Sequence, residues 1–384
     1  MFHPDSEETD FFLPNQDNAT KEPWFVYWIY FIYGLVMLLP WNVFITASGY
    51  FSIRFSGTDY QQSFPNYFSA FFNCSNLACL AILLWRQSKR WDVWIPICVN
   101  AMIFLFFVIT SVVPTFASPI VYFWITSSLL ILTGITTSLL QISVVEQASQ
   151  LLPKYMQAVM SGQGIAGVFV SLLLVATDQS SWHDFLYFLV AFLVACMSLF
   201  GRIIMPTLQP PLDVVPMTSL DSPRTGNPTI FRRSNVYIGT IVYVYWITLS
   251  LFPSVTLSIS PTHMDKALFT SLHFLLFNIG DWIGRTLPIW PVCQIMSSQS
   301  QWWLAFARTL FVPLFLILRH NHASDWLFFV CLLLFSISNG WLTTLVFMAA
   351  PTKVEMSCRP MVSRYVSFFL VVGLALGGLS SFVY

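Results

Sequence analysis

The chain has 384 residues, of which 56% are hydrophobic and only 9% charged, and its 17 basic and 17 acidic side chains cancel. Soluble domains carry charged residues at roughly 25%, so this composition, with a mean hydropathy of +0.70, excludes an ordinary water-soluble fold. Lipid is the solvent that fits.

A hydrocarbon core about 30 Å thick takes about 20 apolar residues per helix. Eleven runs of that kind occur, at 24–47, 67–85, 93–117, 119–145, 158–177, 183–205, 236–258, 267–290, 303–318, 325–350 and 362–384. The expected fold is all-α: an integral membrane protein with eleven transmembrane helices. Residues 1–23 are acidic and are expected to form a tail. The apolar run from Trp24 is too long for a cleaved signal core and should remain as the first helix.

Within that first run, LLPWNVFITASGYF (38–51) places a proline inside a span, where it frees a backbone carbonyl and favours a kink. Trp41 and Ile45 share a helix face, and Leu38 lies three residues before Trp41, giving a surface suited to a flat ring. A tryptophan near the end of a span also suits an interfacial belt. In the fifth run, GQGIAG (162–167) matches the dinucleotide fingerprint by letter. That fingerprint needs a strand before it and a soluble βαβ unit, whereas Met160–Val175 is one apolar run. Gly162, Gly164 and Gly167 are instead expected to thin a helix where a neighbour or substrate comes close.

The polar stretch 206–235, punctuated by Pro206, Pro210, Pro211, Pro216, Pro223 and Pro228, reads as a linker. It divides a six-helix bundle (24–205) from a five-helix bundle (236–384), a division that places transport sites at the interface of two halves. Lys and Arg set the orientation. With the amino terminus in the cytoplasm, twelve basic residues fall on inward segments, and three, Arg54, Lys266 and Arg319, fall on outward ones. The carboxy terminus is then extracellular.

Charges inside spans cost roughly 2.5–3.5 kcal/mol each on insertion scales, which singles out Glu146, Asp281, Arg285 and Arg308. Asp281 and Arg285 are four apart on one face of the eighth helix, and Asn278, Phe277 and Phe274 continue that face. Two readings stay open: a substrate-facing wall, or an ion pair that braces the bundle. Gly280 with Gly284, and Gly373 with Gly377, form GxxxG patterns expected to pack helices. Glu146, near the inward end of its helix, is expected to reach interfacial water, with proton relay as the alternative role. The seven cysteines show neither a disulfide framework nor metal spacing. Asn18-Ala19-Thr20 lies in the inward tail and Asn73-Cys74-Ser75 inside a span, so neither is expected to carry sugar.

Five blocks together resemble the equilibrative nucleoside transporter family: LLPWNVFITASGYF (38–51), MSGQGIAG (160–167), FNIGDWIGR (277–285), SNGWL (338–342) and FFLVVGLALG (368–377). The resemblance implies eleven spans, a 6+5 major-facilitator-like arrangement and alternating access. It also implies that Trp41 and Ile45 line the cavity beside the base and that Gln141 hydrogen-bonds the base. Asp281 and Arg285 would meet the ribose, and Leu374 would add an apolar cavity wall. Glu146, the short linker and a first outward loop without a sequon depart from the family pattern.

The expected function is facilitative transport of nucleosides, with nucleobases as a further substrate class and proton-coupled symport as the alternative. A receptor or an intramembrane enzyme fits less well, because no HExxH, serine elbow, phosphate loop or partner aspartate for Asp281 occurs. The expected partners are a nucleoside and the lipid bilayer of the plasma membrane. No nucleic acid, cofactor or metal is expected, and the working unit is expected to be a monomer.

Overall fold

A computed structural model describes residues 24–86, 92–113, 117–177, 182–208, 228–320 and 324–381. The expected tail and the middle of the expected linker, 209–227, lie outside the described residues. Fourteen helices occur among the described residues: α1 (Trp24–Thr46), α2 (Ser48–Arg54), α3 (Phe64–Arg86), α4 (Trp94–Val112), α5 (Pro119–Ser149), α6 (Pro153–Thr177), α7 (His183–Leu208), α8 (Pro228–Leu251), α9 (Ser254–Leu257), α10 (Lys266–Thr286), α11 (Ser298–Ala307), α12 (Phe311–His320), α13 (Asp325–Thr352) and α14 (Arg359–Ser380). No strand is present among the described residues.

Proline sets several of these limits. It opens α5, α6 and α8 at the first helical position, where its missing N–H would have had no intrahelical acceptor. The expected linker is therefore shorter than 206–235: α7 runs on to Leu208, and Pro228 starts α8 well before the apolar run at 236. The ninth run is not one helix. Pro313 has no N–H for residue 309 and crowds that carbonyl, and the chain passes through a 3-10 turn at Arg308–Leu310 between α11 and α12. α1, by contrast, continues through Pro40 as one helix.

Among the described residues, ten segments are long and apolar enough to cross a membrane. The eighth expected run, α10, is not among them, since His273, Asn278, Asp281 and Arg285 dilute the hydropathy of its 21 residues. It nevertheless packs against both α6 and α13. The inner helices stand out by burial: 72% of the most apolar stretch of α6 is buried, against 28% for α3. In the amino-terminal half α1 packs on α6 and α7, α3 on α5, and α4 on α7. In the carboxy-terminal half α10 packs on α13, and α8 on α14 and α11. The halves meet through α6 with α10 and α13, and through α5 with α14.

Glycine makes the closest of these contacts possible. A Cβ on Gly284 would strike the Ile337 carbonyl oxygen and lie 2.8 Å from Trp341 N. A Cβ on Gly340 would strike the Asp281 carbonyl and lie 2.8 Å from Arg285 N. The two glycines bring the backbones of α10 and α13 together at the turn that carries Asp281 and Arg285. Gly284→Ala is therefore expected to destabilise the protein by about 1–3 kcal/mol, the usual range for overpacking. The check is a lower Tm in detergent, while Gly378→Ala, whose added methyl would have nothing within 4 Å, should hold or raise it.

Candidate substrate site between the two halves

α10 brings Asp281 and Arg285 to the face that meets α6, level with the middle of that helix. Arg285 Nε donates to Asp281 Oδ2 at 2.7 Å, and the two side chains are 6% and 13% exposed. From α13, Asn339 Nδ2 donates to Asp281 Oδ1 at 2.7 Å. Arg285 then spreads its remaining nitrogens over both halves: Nη1 donates to Gln163 Oε1 of α6 at 3.2 Å, and Nη2 to the Tyr245 hydroxyl of α8 at 3.1 Å. An arginine this deep needs such a set, because an unpaired buried charge costs several kcal/mol.

The glycines of GQGIAG explain how α6 and α10 approach. A Cβ on Gly164 would lie 2.8 Å from Arg285 Cδ and 3.0 Å from Trp282 Cα, and one on Gly167 would lie 3.0 Å from Asn278 Oδ1. Gly162 faces the other way, where a Cβ would strike the Phe31 carbonyl of α1. Gly280 lies against Ser336, and Gly373 and Gly377 lie against α8 at Val242 and Leu249.

The other expected contact residues are spread more widely. Trp41 is half-buried and stacks on Phe72 of α3, with ring centroids 4.5 Å apart, and Ile45 one turn on is exposed. Leu38 and Leu374 pack on the main core cluster. Gln141 is buried on α5, with no hydrogen bond from its amide to protein among the described residues. The polar and aromatic stripe of α10 divides: Asn278 turns to Gly167, whereas Phe277 stacks on Phe252, with centroids 3.7 Å apart. Phe274 is exposed and lies edge-on to Phe252 and His273.

Glu146 is corrected by its surroundings. It does not reach interfacial water; it is 1% exposed and ion-paired with Arg364 of α14, which belongs to the other half. Further cross-half contacts lie toward the same end of the molecule. Gln157 Nε2 donates to the Arg285 carbonyl at 3.2 Å, and Ser161 and Thr286 share a hydrogen bond of 2.8 Å; within the amino-terminal half, Tyr27 donates to Gln157 at 2.8 Å and holds it in place. Gln163 and Asn339 lie within the blocks MSGQGIAG and SNGWL, so their place was marked but not their partners. Tyr245, inside an apolar aromatic run, gave no signal.

These features define a class. Two helical halves, joined across a buried charged site by helices that meet through glycine, form a transporter-like membrane fold, and solved structures agree. A bacterial homologue of the iron transporter ferroportin, in an outward-facing state, is similar with a TM-score of 0.62 and 12% identity, over 93% of this chain and 92% of that one. The Major Facilitator Superfamily transporter FucP gives 0.53 and 12%, over 94% and 90%. The nucleoside transporter family model matches residues 127–207 and 228–384, and the chain belongs to that family. Among its relatives, equilibrative nucleoside transporter 2 of Rattus norvegicus is 27% identical, over 96% of this chain and 98% of its own length. Equilibrative nucleoside transporter 1 of Homo sapiens is 28% identical, over 94% and 96%.

Proposed function

We propose that this chain carries nucleosides across a membrane, down their own gradient, by alternating access of a site between its two halves. The observation that carries this reading is the Asp281–Arg285 pair in a chain of the nucleoside transporter family. Ionised carboxylate offers about four lone-pair sites. Arg285 and Asn339 take one on each oxygen, which leaves one acceptor per oxygen for the two hydroxyls of a ribose. Gln141 then serves the base, and Trp41, Ile45, Leu38 and Leu374 supply apolar surface for it. The charge bias of the loops supports a cytoplasmic amino terminus.

The test is uptake into liposomes. Labelled uridine or adenosine should enter saturably, and uptake of glucose or amino acids with no nucleoside uptake would overturn the reading. Uncoupled transport is favoured over proton symport, because Glu146 is held by Arg364 and α14 rather than by a relay toward Asp281. An imposed inward proton gradient should leave the final internal uridine concentration equal to the external one. Accumulation that Glu146→Gln abolishes would favour symport instead.

A further inference from the structure

Arg308 lies in the 3-10 break between α11 and α12, is 2% exposed, and among the described residues makes no hydrogen bond to the groups assigned to substrate. Its guanidinium makes four hydrogen bonds, all inside the carboxy-terminal half. Nε donates to Ser338 Oγ at 3.0 Å, Nη1 to the Val244 carbonyl at 2.9 Å, and Nη2 to Thr248 Oγ1 at 2.9 Å and to the Phe335 carbonyl at 3.4 Å. The Phe335 ring lies 4.8 Å from the guanidinium carbon. A cation this deep is costly unless something uses its charge.

Its direction of donation gives that use. Guanidinium can only donate, so the Thr248 hydroxyl accepts from Arg308 and turns its single proton elsewhere. Val244 O and Asn339 Oδ1 both stand 2.7 Å from that hydroxyl; Val244 O also accepts from Arg308, whereas Thr248 is the one donor to Asn339 Oδ1 among the described residues, so the proton serves Oδ1. With Oδ1 as acceptor, the Asn339 amide must aim its NH2 at Asp281, as it does at 2.7 Å. The chain Arg308, Thr248, Asn339, Asp281 therefore has one polarity, and a break in it removes the anchor on Oδ1, so that the amide, its NH2 still drawn to the carboxylate, can shift in position.

We propose that Arg308 is a positioning residue for ribose recognition: acting through Thr248 and Asn339, it fixes the Asp281 carboxylate so that one lone pair on each oxygen is left for a vicinal diol. This rests on the reading of Asp281 as the ribose acceptor. Without the relay, Asp281 keeps its charge and its Arg285 partner, but the Asn339 amide that holds Oδ1 is no longer fixed. The carboxylate plane can then tilt with the amide, and the match to two hydroxyls is lost before the attraction to either.

Thr248 is the place to cut, since its replacement leaves every charge in place. The full-length protein in liposomes is assayed for uridine and 2′,3′-dideoxyuridine, and the ratio of their kcat/KM values is read. Thr248→Ser keeps the hydroxyl and should keep the wild-type ratio. Thr248→Val should lower that ratio about three- to tenfold, through a higher KM for uridine, and in an Asp281→Asn background it should change the ratio no further. A Val variant that transports both substrates at the full wild-type ratio overturns the relay. If the Val variant does not fold, Thr248→Cys, with its weak donor, must show an intermediate loss, and a full ratio there overturns the relay equally. A wild-type protein with no preference for uridine overturns the ribose reading itself, and the relay falls with it.

Discussion

Wild-type protein in liposomes should take up uridine about tenfold or more faster than 2′,3′-dideoxyuridine, and Asp281→Asn should lose most of that preference. Charge-assisted hydrogen bonds contribute about 1.5–3 kcal/mol each, and every 1.4 kcal/mol is about tenfold, so loss of even one diol contact suffices for that ratio. The amide replaces one of the two oxygens by an NH2 group, which meets a donor, Arg285 Nε or Asn339 Nδ2, whichever way it is turned, and the lone pairs of that oxygen are lost to the diol. Falling uptake alone decides nothing, because a buried Arg285 stripped of its countercharge costs about 3–5 kcal/mol and lowers the amount of folded protein for any reason. The ratio of two substrates on the same folded sample removes that ambiguity. A mutant with a native-like Tm that keeps the full ratio would make the pair a brace between helices, with ribose contacts elsewhere.

The reason that site could be found by reading is that lipid penalises charge. Asp281, Arg285 and Arg308 stand out in apolar runs by composition alone, and a spacing of four sets the first two on one face. Helices were legible for the same reason, since in hydrocarbon every backbone group must be satisfied within the segment. What spacing could not give is the partner on another helix. Asn339, Thr248 and Tyr245 reach the charged pair only because Gly284 and Gly340 let α10 and α13 touch and because α8 lies beside them. Arg308 likewise read as one charge in a short span, whereas the 3-10 turn imposed ahead of Pro313 sets where its side chain enters the bundle. Glu146 misled for the converse reason: its position near a helix end suggested water, but Arg364 comes from a span more than two hundred residues later.

That late partner leads to the second large expected effect. α5 and α14 belong to different halves, and their ion pair closes the end of the molecule where α5 finishes and α6 begins. If the halves part at that end during transport, the pair must break. Removing one member would leave the other charge buried, at about 3–5 kcal/mol, and would confuse instability with opening. Neutralising both, as Glu146→Gln with Arg364→Gln, removes the attraction and leaves neither member of the pair charged. Cys358 reports on the seam: it is 7% exposed, in the short turn that leads into α14 and less than two helical turns before Arg364. In a protein whose other six cysteines are serine, the double variant should react with a maleimide at Cys358 about tenfold faster than its parent, the shift that 1.4 kcal/mol of lost closure produces. Saturating uridine should alter that rate in both proteins, since a substrate that prefers one arrangement shifts the population of the other. Unchanged labelling in a double variant that still transports would mean that the pair holds α5 to α14 in both arrangements, and that the halves separate along a different seam.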